Sequence, residues 1–364
     1  MTRSSLIFPV LALAYFMTAG VVAPSGFVAL TPWSNGAAAI LIAVLFGVVF
    51  AAVRHADAIA HRLGEPYGTL VLTIAVTVIE VALLATLMTS KGGNPALVRD
   101  TVFAVMMIVV NGIIGLSLVL GGMRHYEQEI QIPGARAYLA VLAPFAVFSL
   151  VMPNYTQDAP GPYYSALQLG FVSAVTLALY AAFLFVQTIR HKEYFVAPSA
   201  GAHAQEHSEE PAGEAPIWAS LIMLVFSLVG VILLSKKFAQ WLDLALGAVG
   251  APPAVAGVVV ALLVLSPEGI SALKAARRNV LQKSVNLALG SALATIGLTI
   301  PTVAIISFVT GVDVVLGLGS RETLLLALTL FVSAVTFAAE RTNVLFGLVH
   351  LVIFACWLFL IFVP

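Results

Sequence analysis

The chain has 364 residues, of which 61% are hydrophobic and 9% charged, with a mean hydropathy of +1.05 and zero formal net charge. Soluble globular proteins carry about 25% charged residues, so the composition excludes a water-soluble domain, and the charge balance gives no footing for nucleic acid. The single cysteine, Cys356, excludes an intrachain disulfide and reads as a lipid-facing or packing residue.

A hydrocarbon core of about 30 Å needs roughly 20 apolar residues as helix. In chain order the apolar runs predict eleven helices, near 5–24, 35–54, 67–89, 100–122, 137–153, 164–189, 217–235, 252–273, 284–309, 322–339 and 343–363. The first run follows one Arg and precedes no clear small-residue cleavage site, so it reads as a retained helix. Nothing alternates as a barrel strand does, and backbone groups in lipid must pair internally.

The segment APSAGAHAQEHSEEPAGEAP (197–216), with its Glu, His, Ala, Gly and Pro, cannot build a core and reads as a linker. It leaves six helices before it and five after. Setting the first helix aside leaves five and five, and an odd number per repeat forces the second copy to insert upside down. The expected fold is an all-α integral membrane protein of about eleven transmembrane helices. It comprises an extra N-terminal helix (1–34), two inverted five-helix repeats (35–196 and 217–364), and the acidic linker between them.

Basic residues set the orientation. Alternate loops, counted from the N-terminus, carry Arg3, Arg54, Arg62, Arg124, Arg136, Arg190, Lys192, Lys274, Arg277, Arg278, Lys283 and Arg341. The other loops carry only Lys91, Arg99, Lys236, Lys237 and Arg321. The positive-inside rule then places the N-terminus in the cytoplasm and the C-terminus outside.

Two acids lie inside apolar runs: Glu80 in GEPYGTLVLTIAVTVIEVALLATLM and Glu268 in AVAGVVVALLVLSPEGISALKAA. Such residues are costly in a bilayer and mark ion or proton paths. They occupy matching helices of the two expected repeats. Thr73 and Thr77 share the face of Glu80 at i−7 and i−3. Ser266, Pro267 and Gly269 flank Glu268, and Pro with Gly predicts a local helix break that exposes carbonyls. Two carboxylates match one Ca²⁺, and two protons match the same pair when it is empty. Burial and a neighbouring like charge both favour the protonated form of a carboxyl group, so protons and cation compete. Ca²⁺ wants six to eight oxygens. Asn111, central in VMMIVVNGIIGLSLVLGG, and the stripe Ser291, Thr295 and Thr299, four residues apart, are candidates to supply them or to pack helices. Glu340 reads as an interfacial pair with its neighbour Arg341, and His350 as a packing histidine.

The stretches GEPYGTLVL…VIEV and PEGISALKAARRN…LALGSA, with the acidic segment between them, resemble bacterial calcium (sodium, potassium)/proton antiporters of the cation/calcium exchanger superfamily. The resemblance covers nearly the whole chain. It implies that Glu80 and Glu268 are the acidic ion-binding residues, that Gly290-Ser291 and Pro301 match a Gly-Ser step and the proline after it, and that Asn111 occupies a position where the family carries Asn. It also implies a cytoplasmic acidic segment at 197–216 that binds Ca²⁺ or senses pH through His203 and His207. The chain departs from the family at Thr77–Val78–Ile79 and Leu265–Ser266–Pro267, where Gly-Asn is usual before the glutamates, and at Ala294, where a glutamine is common. These changes remove amide oxygens and leave room for Na⁺ or K⁺.

The function expected is proton-coupled cation antiport by alternating access. Ca²⁺ leaves in exchange for H⁺, with competitive binding at Glu80 and Glu268 and oxygens from Thr77, Ser266, Asn111, Ser291 and Thr295. Na⁺/H⁺ or K⁺/H⁺ exchange on the same site is the alternative, and a passive channel a further one. No cofactor is expected, and the partners are inorganic cations, protons and membrane lipid; oligomeric state is open. The place expected is a bacterial inner membrane. No H-E-x-x-H motif and no Ser-Lys dyad in the helices points to an enzyme.

Overall fold

The computed structural model describes residues 3–22, 32–64, 67–88, 95–196 and 216–363. Eleven helices run among the described residues. They are α1 (Arg3–Val22), α2 (Pro32–Leu63), α3 (Tyr67–Met88), α4 (Leu97–His125), α5 (Ile132–Asn154) and α6 (Ala166–Arg190). After the linker come α7 (Ile217–Ala248), α8 (Ala254–Arg277), α9 (Leu281–Thr310), α10 (Ser320–Thr336) and α11 (Val344–Phe362). Eight of them, α2, α4 to α9 and α11, are long and apolar enough to cross a membrane. The apolar stretches described in α1 and α3 are shorter, Ser5–Thr18 and Val71–Thr86, and α10 has 17 residues. The 197–216 linker lies outside the described residues, apart from Pro216.

Local chemistry explains four of the ends. Ser165 and Gln168 form a reciprocal capping box at the start of α6, and the Asn343 side chain accepts the Leu345 N–H at the start of α11. Gly64 (φ +66°) and Gly311 (φ +69°) stop α2 and α9 in the left-handed conformation that favours glycine. Two helices outrun the expected apolar spans. The helix expected at 35–54 continues to Leu63 through His55, Asp57 and Arg62, and that expected at 217–235 continues to Ala248 past Lys236 and Lys237. Polarity ends an apolar run without ending the backbone hydrogen-bond ladder.

The helix break expected at Ser266–Gly269 is absent: α8 runs unbroken from Ala254 to Arg277. Pro267 cannot donate to the Leu263 carbonyl four residues back. The Ser266 hydroxyl donates to that carbonyl instead, at 2.8 Å, so the gap in the ladder is filled from the neighbouring side chain.

The chain resolves into two compact units, each drawn from both halves of the sequence. One comprises Met1–Leu97 with His207–Pro267, the other Val98–Glu206 with Glu268–Pro364. In the first, α1, α2, α3 and α7 pack on one another. At Gly230 an added Cβ would lie 3.0 Å from Ala12 and 3.4 Å from Val48, so the three helices meet at a residue without a side chain. His55 Nε2 lies 3.0 Å from the Ser5 carbonyl, and Tyr15 donates to the Ala37 carbonyl at 2.9 Å, tying α1 to α2. Thr86 and Ser235 share a 3.0 Å hydroxyl contact between α3 and α7.

In the second unit α11 lies against α4 and α9 against α4, α5 and α6. The α4–α11 contact is backbone-close, because a Cβ on Gly347 would stand 2.7 Å from the Gly115 carbonyl oxygen. Two short strands, β1 (Glu127–Glu129) and β2 (Arg341–Asn343), pair antiparallel at one end of it. Their register sets Arg341 opposite Glu129, and the guanidinium contacts Glu127 at 3.4 Å and Glu129 at 3.3 Å. The expected Glu340–Arg341 pair is therefore replaced by a cross-strand one. A non-helical run, Val314–Leu318, is buried nonetheless. Leu316 and Gly317 donate to the Pro162 carbonyl, Leu318 to the Leu150 carbonyl, and Asn154 to the Leu318 carbonyl, which satisfies a backbone that lipid could not.

Candidate site residues in the two units

In the first unit Glu80 stands in α3 with 1% of its surface exposed. Thr77 and Thr73 are half-buried one and two turns before it on the same face. A carboxyl so deep in an apolar helix requires a specific charge or hydrogen-bond arrangement.

In the second unit Glu268 lies just past Pro267. Its Oε2 is buried and has no hydrogen-bond partner among the described residues. The next residue, Gly269, packs closely on α4, since a Cβ there would approach Ile113 Cδ1 to 3.1 Å. Ile113 closes a π-helical turn, Met107–Ile113, within α4. There the Ile114 N–H reaches back five residues to the Val109 carbonyl. Such turns recur at functional sites because they shift the register of one helix face.

Asn111 sits in this turn, fully buried, and both ends of its amide are used. Nδ2 donates to Thr329 Oγ1 of α10 at 2.8 Å, and Oδ1 lies 3.0 Å from His350 Nδ1 of α11. His350 Nε2 in turn lies 3.0 Å from Thr336 Oγ1. With Nδ2 committed to Thr329, Oδ1 is the acceptor, so His350 donates from Nδ1, and Nε2 pairs with the Thr336 hydroxyl. Four side chains from three helices thus form one buried network, in which His350 has partners at both nitrogens.

On α9, Ser291, Thr295 and Thr299 form the expected stripe. Ser291 Oγ and Thr299 Oγ1 are buried with no hydrogen-bond partner among the described residues. The helix packs on the π-helical turn, and Ser284 Oγ donates to Ser117 Oγ of α4 at 2.8 Å. Glu268, the Asn111 turn and the Ser291 stripe therefore belong to one unit, whereas Glu80 and Thr77 belong to the other, as does Ser266, whose hydroxyl proton is engaged by Leu263. The second stripe of this unit, Thr329, Ser333 and Thr336 on α10, was missed in the sequence. Its i, i+4, i+7 spacing in TLFVSAVT marks one helix face, as the i, i+4, i+8 spacing of Ser291, Thr295 and Thr299 does.

Among the described residues no group of three or more His, Cys, Asp or Glu is placed to hold a metal ion. A cation taken up here would complete its shell with hydroxyl, amide, backbone or water oxygens, as hard cations do.

A family model described as sodium/calcium exchanger protein matches residues 33–189 and 219–363. The protein y4hA of Sinorhizobium fredii is 48% identical over 322 residues, covering 88% of this chain and 87% of y4hA. The sodium-potassium/proton antiporter ChaA of Escherichia coli is 39% identical over 369 residues, covering 99% of this chain and 96% of ChaA. Among solved structures, the Ca²⁺/H⁺ antiporter protein YfkE superposes with a TM-score of 0.73 at 16% identity, covering all of both chains. That likeness shows a shared fold.

Proposed function

Because this chain belongs to the sodium/calcium exchanger family, we propose that it is a proton-coupled cation antiporter, exporting Ca²⁺ in exchange for H⁺ with Glu80 and Glu268 as the exchanging carboxylates. One observation carries the reading. Glu268 Oε2 is buried without a hydrogen-bond partner among the described residues. A buried carboxylate oxygen needs a proton or a cation to complete it, and a group that accepts either is what an exchanger requires. Two ionised carboxylates balance one Ca²⁺ and two protons balance the same charge, so cation and protons compete for them. Alternating access converts that competition into counter-transport.

The neutral oxygens assigned to the cation are those of Thr77, Ser266, Asn111, Ser291 and Thr295. Residues 35–196 and 217–364 are read as inverted five-helix repeats, with 1–34 an added helix and 197–216 an acidic linker. The protein is assigned to a bacterial inner membrane, with its N-terminus in the cytoplasm and its C-terminus outside on the balance of basic loops.

Sodium and potassium form a second reading, favoured by the 39% identity to a sodium-potassium/proton antiporter. A monovalent ion needs one ionised carboxylate where Ca²⁺ takes two. The test is cation-dependent dissipation of a pH gradient in inside-out vesicles, with Ca²⁺, Na⁺ and K⁺ in turn, for the wild type and for Glu80→Gln and Glu268→Gln. Each variant should insert normally and lose exchange. Near wild-type exchange in either one overturns the assignment, and the ion giving the larger response decides between the readings.

A further inference from the structure

The His350 network has a direct physical route to the carboxylate. His350 is completely buried in α11, and a titratable side chain inside a membrane helix is costly enough to call for a reason. Its backbone stands close to α4, since a Cβ on Gly115 would meet His350 Cβ at 3.0 Å. From there Nδ1 reaches Asn111 Oδ1 at 3.0 Å. Asn111 is a residue of the π-helical turn Met107–Ile113, and Ile113 at the end of that turn is the side chain on which Gly269 packs, next to Glu268. Thr329 anchors the other end of the amide and also contacts Met107 Sδ, the first residue of the turn, at 3.6 Å. All of these residues lie in one compact unit.

A π-helical turn holds one more residue per hydrogen-bonded ring than an α-helix and persists where tertiary contacts secure it. Here the securing contacts are polar and specific. The His350 Nδ1–H fixes which way the Asn111 amide points, and Thr329 closes the other side. Release of the amide would let the turn relax toward regular helix and change the surface that Ile113 offers to Gly269.

We propose that His350 is a positioning residue for cation binding: its hydrogen bond to Asn111 holds the π-helical turn of α4 in the register that seats Glu268. The inference rests on the reading of Glu268 as the cation carboxylate. His350 does not touch the cation; it acts through Asn111 and Ile113.

The experiment compares His350→Leu and His350→Asn in purified protein reconstituted into liposomes, reading the half-saturating Ca²⁺ or Na⁺ concentration and the maximal exchange rate separately. Leucine keeps the bulk and deletes the donor. Asparagine places an amide N–H close to where Nδ1 stands. His350→Leu should raise the half-saturating concentration by about 3- to 10-fold, the range expected for coupling through a contiguous network, with the maximal rate little changed. His350→Asn should return it to within about twofold of wild type, the donor being restored. An unchanged half-saturating concentration in His350→Leu overturns the proposal, as does equal weakening in both variants or a loss confined to the maximal rate. Glu268→Gln runs alongside. If it abolishes exchange while His350→Leu binds normally, the positioning role alone fails; if it exchanges normally, the reading beneath it fails.

Discussion

Asn111→Ala removes two buried hydrogen bonds to oxygen or nitrogen at once, to Thr329 at 2.8 Å and to His350 at 3.0 Å, together with a weak one to Met107 Sδ at 3.6 Å. It leaves an imidazole N–H without its acceptor among apolar side chains, whereas the Thr329 hydroxyl keeps Met107 Sδ at 3.6 Å. A buried polar group left unsatisfied costs about 1–3 kcal/mol in water-soluble proteins, whereas hydrogen bonds between membrane helices average about 0.6 kcal/mol. Two lost bonds therefore predict a loss of roughly 1–4 kcal/mol in unfolding free energy. His350→Leu removes one of the same bonds and leaves the Thr336 hydroxyl without its His350 partner. The double variant should be less destabilised than the two single losses combined, by about 0.5–2 kcal/mol, because the shared bond can be lost only once. Reversible unfolding in mixed micelles, followed by circular dichroism, measures all four proteins. Singles that add to within about 0.3 kcal/mol would refute the network as a coupled unit.

Ser266→Ala should cost about 0.5–1.5 kcal/mol in the same assay, since the Leu263 carbonyl loses the hydroxyl that stands in for the missing Pro267 N–H. Adding Pro267→Ala should restore that stability, and no recovery would show that Ser266 matters for another reason. Gly347→Ala should destabilise by about 1–3 kcal/mol through overpacking, because its Cβ would stand 2.7 Å from the Gly115 carbonyl oxygen and 2.8 Å from the Val119 nitrogen; an unchanged unfolding curve would mean that α4 and α11 yield readily. Deleting 198–215 in favour of a short Gly/Ser linker should leave the maximal exchange rate intact, since its composition cannot build a core, and complete loss in a well-inserted protein would contradict this.

The helices were legible because most of them, eight of the eleven described, are apolar runs of spanning length. Their polar extensions were not, since Arg62 or Lys237 ends hydrophobicity but not helicity. Glu80 and Glu268 were legible from the cost of burying an acid. The continuity of α8 was hidden because proline carries a general rule, whereas its remedy, Ser266 on Leu263, is a matter of one rotamer. The π-helical turn at Asn111 and the partners of His350 were hidden for a different reason. They depend on Asn111 meeting Thr329 and His350, each more than 200 positions away, across three helices, and no local spacing encodes that. The two compact units, each assembled from both halves of the chain, are likewise a tertiary fact, as is the short β1–β2 pairing that takes Arg341 away from Glu340.

Counter-transport is the central claim, and cation flux in proteoliposomes containing only this protein tests it most directly. With the lumen made acid relative to the bath and the cation concentration equal on both sides, the account predicts cation accumulation in the lumen above the bath concentration as protons leave, under conditions where the membrane potential is clamped at zero. Glu268→Gln liposomes should show no accumulation. Movement of cation only down its own gradient, indifferent to the imposed pH difference, would contradict the account and identify a passive pore.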